Sequence, residues 1–114
     1  MAKNAHFYVA DMLEAIEELQ SALAGSTFEE YEANWVLRRA TERGIEIISE
    51  ASRRIPAEIK AEHPAIDWRV VAGIGNVLRH DYRHVSNDVV WNVTRVHLPA
   101  LKAALQSILA DLEC

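Results

Sequence analysis

Glycine and proline are scarce in this chain, four and three residues among 114. So few breakers favour a small number of long elements over many short strands. No apolar run approaches the ~20 residues that a membrane span requires, which predicts no membrane partner. Cysteine is reduced to one residue, Cys114, so no internal disulfide can form. The opening residues lack the charged-then-apolar pattern of a secretory signal. Together these absences predict a reducing, cytoplasmic location. An excess of basic charge is missing as well: the formal net charge is −5. That argues against a protein that coats nucleic acid non-specifically, because such binding relies on Lys and Arg to neutralise phosphates. A local basic site is still compatible with it.

What the chain does have is apolar residues, 50% of the total, enough for a packed core and too many for wholesale disorder. Its length suits one domain over residues 1–114. Val9, Met12, Leu13, Ile16, Leu19 and Leu23 recur at helical spacing and predict a first helix over about residues 5–24. Gly25 suits its C-terminal end. Ser26 with Glu29, or Thr27 with Glu30, fits a capping box. A second helix is predicted from there over about residues 27–54, with Tyr31, Trp35, Ala40, Ile47, Ile48 and Ala51 inward. Gly44 inside it costs roughly 1 kcal/mol relative to alanine and marks close packing or a kink. Pro56 and Pro64 make Ile55 to Ile66 a loop with at most a helical turn. Asp67 can cap a third helix over about 68–84, and Ser86-Asn87-Asp88 starts a fourth. Pro99 suits a first turn, and Leu98, Leu101, Leu105, Ile108 and Leu112 form an apolar stripe. The fold class is all-α, a bundle of four to five helices with short loops.

Between Arg69 and His97 the acidic residues thin out, leaving Asp81 and Asp88 against Arg69, Arg79, Arg83 and Arg95, with three histidines, His80, His84 and His97. At about 100° per residue the third helix separates into two faces. Trp68, Val71, Gly75, Leu78 and Tyr82 share one side. Arg69, Gly73, Asn76, His80, Arg83 and His84 share the other. An ordinary amphipathic helix carries lysine and glutamate outward; this one carries asparagine, histidine and arginine above small residues that permit close approach. An imidazole can exchange a proton near neutral pH, and arginine can stabilise charge developing on a phosphate. Asn76, one turn before His80, can orient the ring or a substrate oxygen. These groups would serve metal-free RNA cleavage through the ribose 2′-hydroxyl. A solvated polar face accounts for the same residue types.

The run Gly75-Asn76-Val77-Leu78-Arg79-His80-Asp81-Tyr82 resembles the helix motif of the HepT-like branch of the HEPN ribonuclease-toxin superfamily, Arg-Asn-x-Leu-x-His-x-Tyr. Asn76, Leu78, His80 and Tyr82 match at the expected spacing. Ile66-Asp67-Trp68 before the motif, and Val89-Val90-Trp91 and Leu98-Pro99-Ala100-Leu101 after it, resemble the family's flanks. Glu46-Ile47-Ile48-Ser49-Glu50-Ala51 is similar to its second-helix pattern, in which glycine often takes the place of Ser49. The resemblance implies a HEPN-like bundle and a homodimer that brings two motifs into one cleft. It also implies a toxin–antitoxin module in which the chain is the endoribonuclease toxin. RNA is then the substrate, and a nucleotidyltransferase antitoxin of the MNT type is the partner. That partner would silence the toxin by adding AMP to the motif tyrosine, Tyr82, whose bulk and charge compete with RNA phosphate.

One position departs from the pattern: the motif's leading arginine falls at residue 75, which is Gly75. Arg79 or Arg83 then becomes the phosphate-stabilising cation. Position 75 lies about 140° around the helix from position 80 and position 79 about 100°, so neither is geometrically equivalent. The departure leaves a second reading open, a catalytically weakened relative kept as binding partner or AMPylation substrate of the nucleotidyltransferase. His80 and His84 have metal-ligand spacing, but a metal needs further ligands, so no metal is expected. Gly73-x-Gly75 fails as a dinucleotide fingerprint because residue 78 is leucine, and no cofactor is expected. Trp35, Trp68 and Trp91 read as core or interface residues, and Tyr82 can equally be a core aromatic. Arg38-Arg39 and Arg53-Arg54 read as solvated ends of charged faces, either of which could extend an RNA or antitoxin surface.

Overall fold

The computed structural model describes residues 2–114, apart from the side chains of residues 2, 3 and 82. Every regular element among them is helical, as the breaker-poor sequence implied. Helix α1 (Ala2–Leu23) is followed by the short α2 (Phe28–Ala33), then α3 (Trp35–Ser52), the single turn α4 (Ala57–Lys60) and α5 (Trp68–Asp81). Helix α6 (Asn87–Asn92) runs through a π-helical stretch, Val93–His97, into α7 (Leu98–Glu113). Helix α3 is central, packing along α1 and along α5, while α7 closes against α1. The core between them contains Val9, Met12, Ile16, Ile45, Leu78, Val90, Leu105 and Ile108, each no more than 2% exposed. Burying each such side chain is worth about 1.5–3 kcal/mol, far more than the propensity differences that choose the helix ends. No helix among the described residues is long and apolar enough to cross a membrane.

The predicted turn after α1 forms as expected. Gly25 has φ +78°, the left-handed conformation that glycine adopts without steric cost. The capping box belongs to Thr27 and Glu30: Glu30 N donates to Thr27 Oγ1 at 3.1 Å, and Thr27 N donates to Glu30 Oε1 at 2.8 Å. Gly44 brings α1 and α3 together, since a Cβ there would lie 2.8 Å from the Leu19 side chain.

The predicted second helix is two helices, because Asn34 interrupts it. Asn34 adopts an extended conformation, and its Oδ1 accepts from Leu37 N at 3.0 Å. An asparagine side chain offers the backbone this alternative to continuing the helix. The inward line of α3 also differs from the predicted one. Tyr31, Ile48 and Ala51 are buried as predicted, but Trp35 is 62% exposed, Ile47 is 38% exposed and Ala40 is exposed. The buried line of α3 is instead Thr41, Ile45, Ile48, Ser49 and Ser52.

The third predicted helix ends as an α-helix at Asp81 and tightens into a 3-10 turn over Tyr82–His84. Asp67 accepts from Val70 N at 3.3 Å at its start. Trp68 is pinned there as its Nε1 donates to His63 O at 3.1 Å, and Lys60 lies 5.8 Å from its ring centroid. The wide π turn directly precedes Pro99, whose ring would clash with the carbonyl four residues back in a regular α-helix. From that turn Arg95 reaches across the bundle. Its Nη2 donates to Leu23 O at 3.2 Å and to Ser26 O at 2.9 Å, while its guanidinium lies 4.2 Å from the Trp91 ring centroid. A cation thus sits on the carbonyl end of α1, where the helix dipole favours it.

Candidate functional site

The two faces assigned to α5 are those the structure shows, except that Gly73, assigned outward, is partly buried. Gly75 and Leu78 are buried, Trp68 and Val71 are partly buried, and Arg69, Asn76, His80, Arg83 and His84 are exposed. The expectation for the Tyr82 side chain lies outside the described residues. Asn76 and Arg79 are brought together, with Arg79 Nη2 donating to Asn76 Oδ1 at 3.3 Å. His80 stands one turn beyond Asn76, exposed on the solvent side of α5. Arg83 is exposed on the 3-10 turn. Beside it, the His84 imidazole pairs with the Asp81 carboxylate.

Asn76 and Arg79 also line a cleft of about 400 Å³ between α1, α3 and α5. The α5 wall consists of Gly75, Asn76 and Arg79. The opposite walls contribute Tyr8 from α1 and, from α3 and the turn after it, Arg43, Arg53 and Arg54. Carboxylates of Asp11, Glu46 and Glu50 stand among these, and Arg43 Nη1 pairs with Glu46 Oε1 at 3.3 Å. Arg54 lies 6.0 Å from the Tyr8 ring centroid. His80 is not among the cleft-lining residues.

What fixes the α5 wall is a polar clamp from α3. Ser49, 2% exposed, donates from Oγ to Ala72 O at 2.9 Å and accepts from Gly75 N at 3.1 Å. Arg53 donates to the same Ala72 carbonyl from Nε at 3.2 Å and from Nη2 at 2.9 Å. The contact is possible because residue 75 has no side chain: a Cβ there would lie 2.6 Å from both Cβ and Oγ of Ser49. This accounts for the glycine at the position where the resemblance expects arginine. A side chain at 75 and a side chain at 49 compete for one space.

Sequence reasoning read Arg53 as the solvated end of a charged face that could extend an RNA or antitoxin surface, without its contact to α5, and gave Ser49 no role. The partner of both, Ala72, lies 23 residues from Ser49 and 19 from Arg53, and no local pattern announces a contact to a backbone carbonyl at that distance. Among the described residues no group of three or more His, Cys, Asp or Glu side chains is arranged to hold a metal ion.

The pKa displacements lie away from this cleft. Burial pushes the Tyr31 hydroxyl up to about 12, with the Glu42 carboxylate adding to the effect. Burial also raises Glu42, against the lowering effect of Arg39, whose Nη2 donates to Glu42 Oε2 at 3.1 Å. Both surround the α2–α3 junction and serve the core.

Comparison with known proteins places the chain among HepT-like ribonucleases. A protein-family model described as ribonuclease HepT-like matches residues 12–108. A protein of Thermococcus cleftensis named "Probable ribonuclease HepT" is 32% identical over 108 residues, covering 95% of this chain and 98% of that protein. A "Putative RNase" of Caldanaerobacter subterraneus subsp. tengcongensis is 31% identical over 102 residues, covering 90% and 91%. Another "Putative RNase", from Methanocaldococcus jannaschii, is 28% identical over 106 residues, covering 93% and 88%. No solved structure matches the chain.

Proposed function

The chain belongs to the ribonuclease HepT-like family, and from that premise we propose that it is a metal-independent endoribonuclease working as a homodimer, the toxin of a toxin–antitoxin module. In this reading His80 is the general acid/base, Asn76 orients the ring or a substrate oxygen, and Arg79 or Arg83 stabilises the phosphate. His80 takes the proton of a ribose 2′-hydroxyl as that oxygen attacks the neighbouring phosphorus. The O2′–P bond forms, the P–O5′ bond breaks, and the departing O5′ receives a proton. The products are a cyclic phosphate and a 5′-hydroxyl. The arginine offsets negative charge gathering on the non-bridging oxygens.

The observation that carries this reading is the polar face of α5. A histidine, an asparagine and an arginine stand exposed within two turns of one rigid helix, with Asn76 already hydrogen-bonded to Arg79. The separation of His80 from the cleft within one protomer is the reason for placing the working site at a two-fold axis. There a cation of one protomer reaches the histidine of the other. The partner in the cell would be an MNT-type nucleotidyltransferase, with Tyr82 the residue that it modifies with AMP.

The second reading is a catalytically weakened family member kept for that partnership. It is favoured by the burial of Gly75 against Ser49, which leaves no room for the motif arginine. Expressing the chain without a partner, beside His80→Ala, separates the two. Growth arrest and RNA cleavage that disappear in His80→Ala, with the helical circular dichroism unchanged, support the nuclease. Cleavage that persists undiminished in His80→Ala sinks it.

A further inference from the structure

We propose that Arg53, reaching from the end of α3, is a phosphate-binding residue for RNA in the cleft beside α5, and that Gly75 is what gives it access. This inference rests on the ribonuclease reading above and adds a phosphate-binding cation to it, beside the arginine that stabilises the reacting phosphate.

A guanidinium presents five N–H donors in a planar fork suited to two oxygens at once. In Arg53 two nitrogens, Nε and Nη2, are committed to the carbonyl of Ala72. That pair of hydrogen bonds holds the plane of the fork against the α5 backbone and leaves the donors of Nη1 for a ligand oxygen. The Arg53 side chain lines the same cleft as Gly75, Asn76 and Arg79. Any larger residue at 75 would displace Ser49, which shares the Ala72 carbonyl with Arg53. Glycine therefore both removes one side chain from the wall and preserves the seat of another.

Charge arrangement points to where an anion would lie. The cleft's carboxylates, Asp11, Glu46 and Glu50, belong to α1 and α3, and Glu46 is already paired with Arg43. The α5 wall carries no acidic residue; it offers the Asn76 amide and the Arg79 guanidinium. A phosphodiester against that wall would meet Arg53 on one side and Arg79 on the other. A cleft of about 400 Å³ has room for one nucleotide unit, and the ligand proposed is single-stranded RNA.

The test is fluorescence anisotropy with a labelled 2′-O-methyl RNA, which binds but cannot be cleaved through its 2′-oxygen, measured at several salt concentrations. Native chain, Arg53→Gln, Arg53→Lys and His80→Ala are compared, with melting curves on each. Arg53→Gln is expected to weaken binding about 5–10-fold near 100 mM salt and to lower the log–log salt slope by about 0.7, one single-strand phosphate contact. Arg53→Lys keeps the charge and is expected to keep the native slope. Equal loss in Arg53→Gln and Arg53→Lys, in step with lowered melting temperatures, would mean that Arg53 only braces α5 and overturns the inference. Unchanged binding by Arg53→Gln overturns it alone, while loss of cleavage of unmodified RNA by His80→Ala, measured separately, leaves the nuclease reading standing. No binding by the native chain overturns both. An Arg53-dependent slope in a chain whose cleavage ignores His80→Ala supports the cleft and removes the mechanism.

Discussion

The close contact of Ser49 with Gly75 makes a quantitative prediction. Replacing Gly75 by alanine in mid-helix would ordinarily stabilise the chain by roughly 1 kcal/mol, since glycine is the poorer helix former. Here the new Cβ would lie 2.6 Å from Ser49 Cβ and Oγ, and 3.4 Å from the Glu46 Cα. Ser49 cannot swing aside cheaply, because its Oγ is held between Ala72 O and Gly75 N at 2.9 and 3.1 Å. Overpacking of this kind costs about 1–3 kcal/mol, and each hydrogen bond lost in the readjustment about 0.5–1.5 kcal/mol. The net expectation for Gly75→Ala is a destabilisation of about 1–3 kcal/mol, opposite in sign to the propensity effect.

Ser49→Gly alone loses both hydrogen bonds and places a glycine within α3, and is expected to cost about 2–3 kcal/mol. The double variant exchanges the two residue types across the interface and restores the space. It is expected to recover about 1–3 kcal/mol relative to the sum of the single changes, a coupling in the range found for residues in contact. Urea unfolding followed by circular dichroism at 222 nm reads all four corners of the cycle, provided the slope with denaturant is the same in each. A neutral or stabilising Gly75→Ala in the native background, or additive single changes, would refute the account of why glycine occupies position 75. The same cycle with arginine in place of alanine follows: Gly75→Arg is expected to be tolerated only beside Ser49→Gly.

Two further predictions concern the other end of the bundle. The Tyr31 hydroxyl is fully buried with no hydrogen-bond partner among the described residues, so Tyr31→Phe is expected to be neutral or to stabilise by about 1 kcal/mol. Because burial raises the Tyr31 pKa from 10.0 to about 12, the neutral phenol favours the folded state; that contribution is complete below pH 10 and is lost as pH rises through about 12. Absorbance at 295 nm should show a late ionisation step in the native chain that Tyr31→Phe lacks, and a step at the ordinary tyrosine value would contradict the burial. Arg95→Met keeps much of the apolar stem while removing the donors to Leu23 O and Ser26 O. It is expected to cost about 1.5–3 kcal/mol, the range for hydrogen bonds to a charged group, and to lower the melting temperature by roughly 4 °C per kcal/mol; no change would show that the cation does not cap α1.

How far the fold was legible depended on whether the deciding interaction was local. The α1 stripe, the Gly25 turn, the Thr27 capping box and the stripe of α7 are each set by residues within a few positions of one another, and each forms as read. The two faces of α5 were equally legible, since a periodicity of 3.6 residues needs no knowledge of neighbours. The break at Asn34 depends on one side-chain oxygen choosing Leu37 N over continued helix, and the apolar pattern on either side conceals it. The site was legible as a face and not as a cleft. His80, Asn76 and Arg79 could be placed on α5, but the wall opposite Asn76 and Arg79 comes from α1 and α3, brought there by a serine and an arginine contacting a backbone carbonyl. A glycine at position 75 reads in sequence as a missing catalytic arginine. In three dimensions it is one half of a packing pair whose other half is Ser49, and the space that it leaves is bordered by a different arginine. A departure from a motif is thus informative only together with what occupies the space around it, and here the neighbours that decide its meaning lie 26 residues away in the chain.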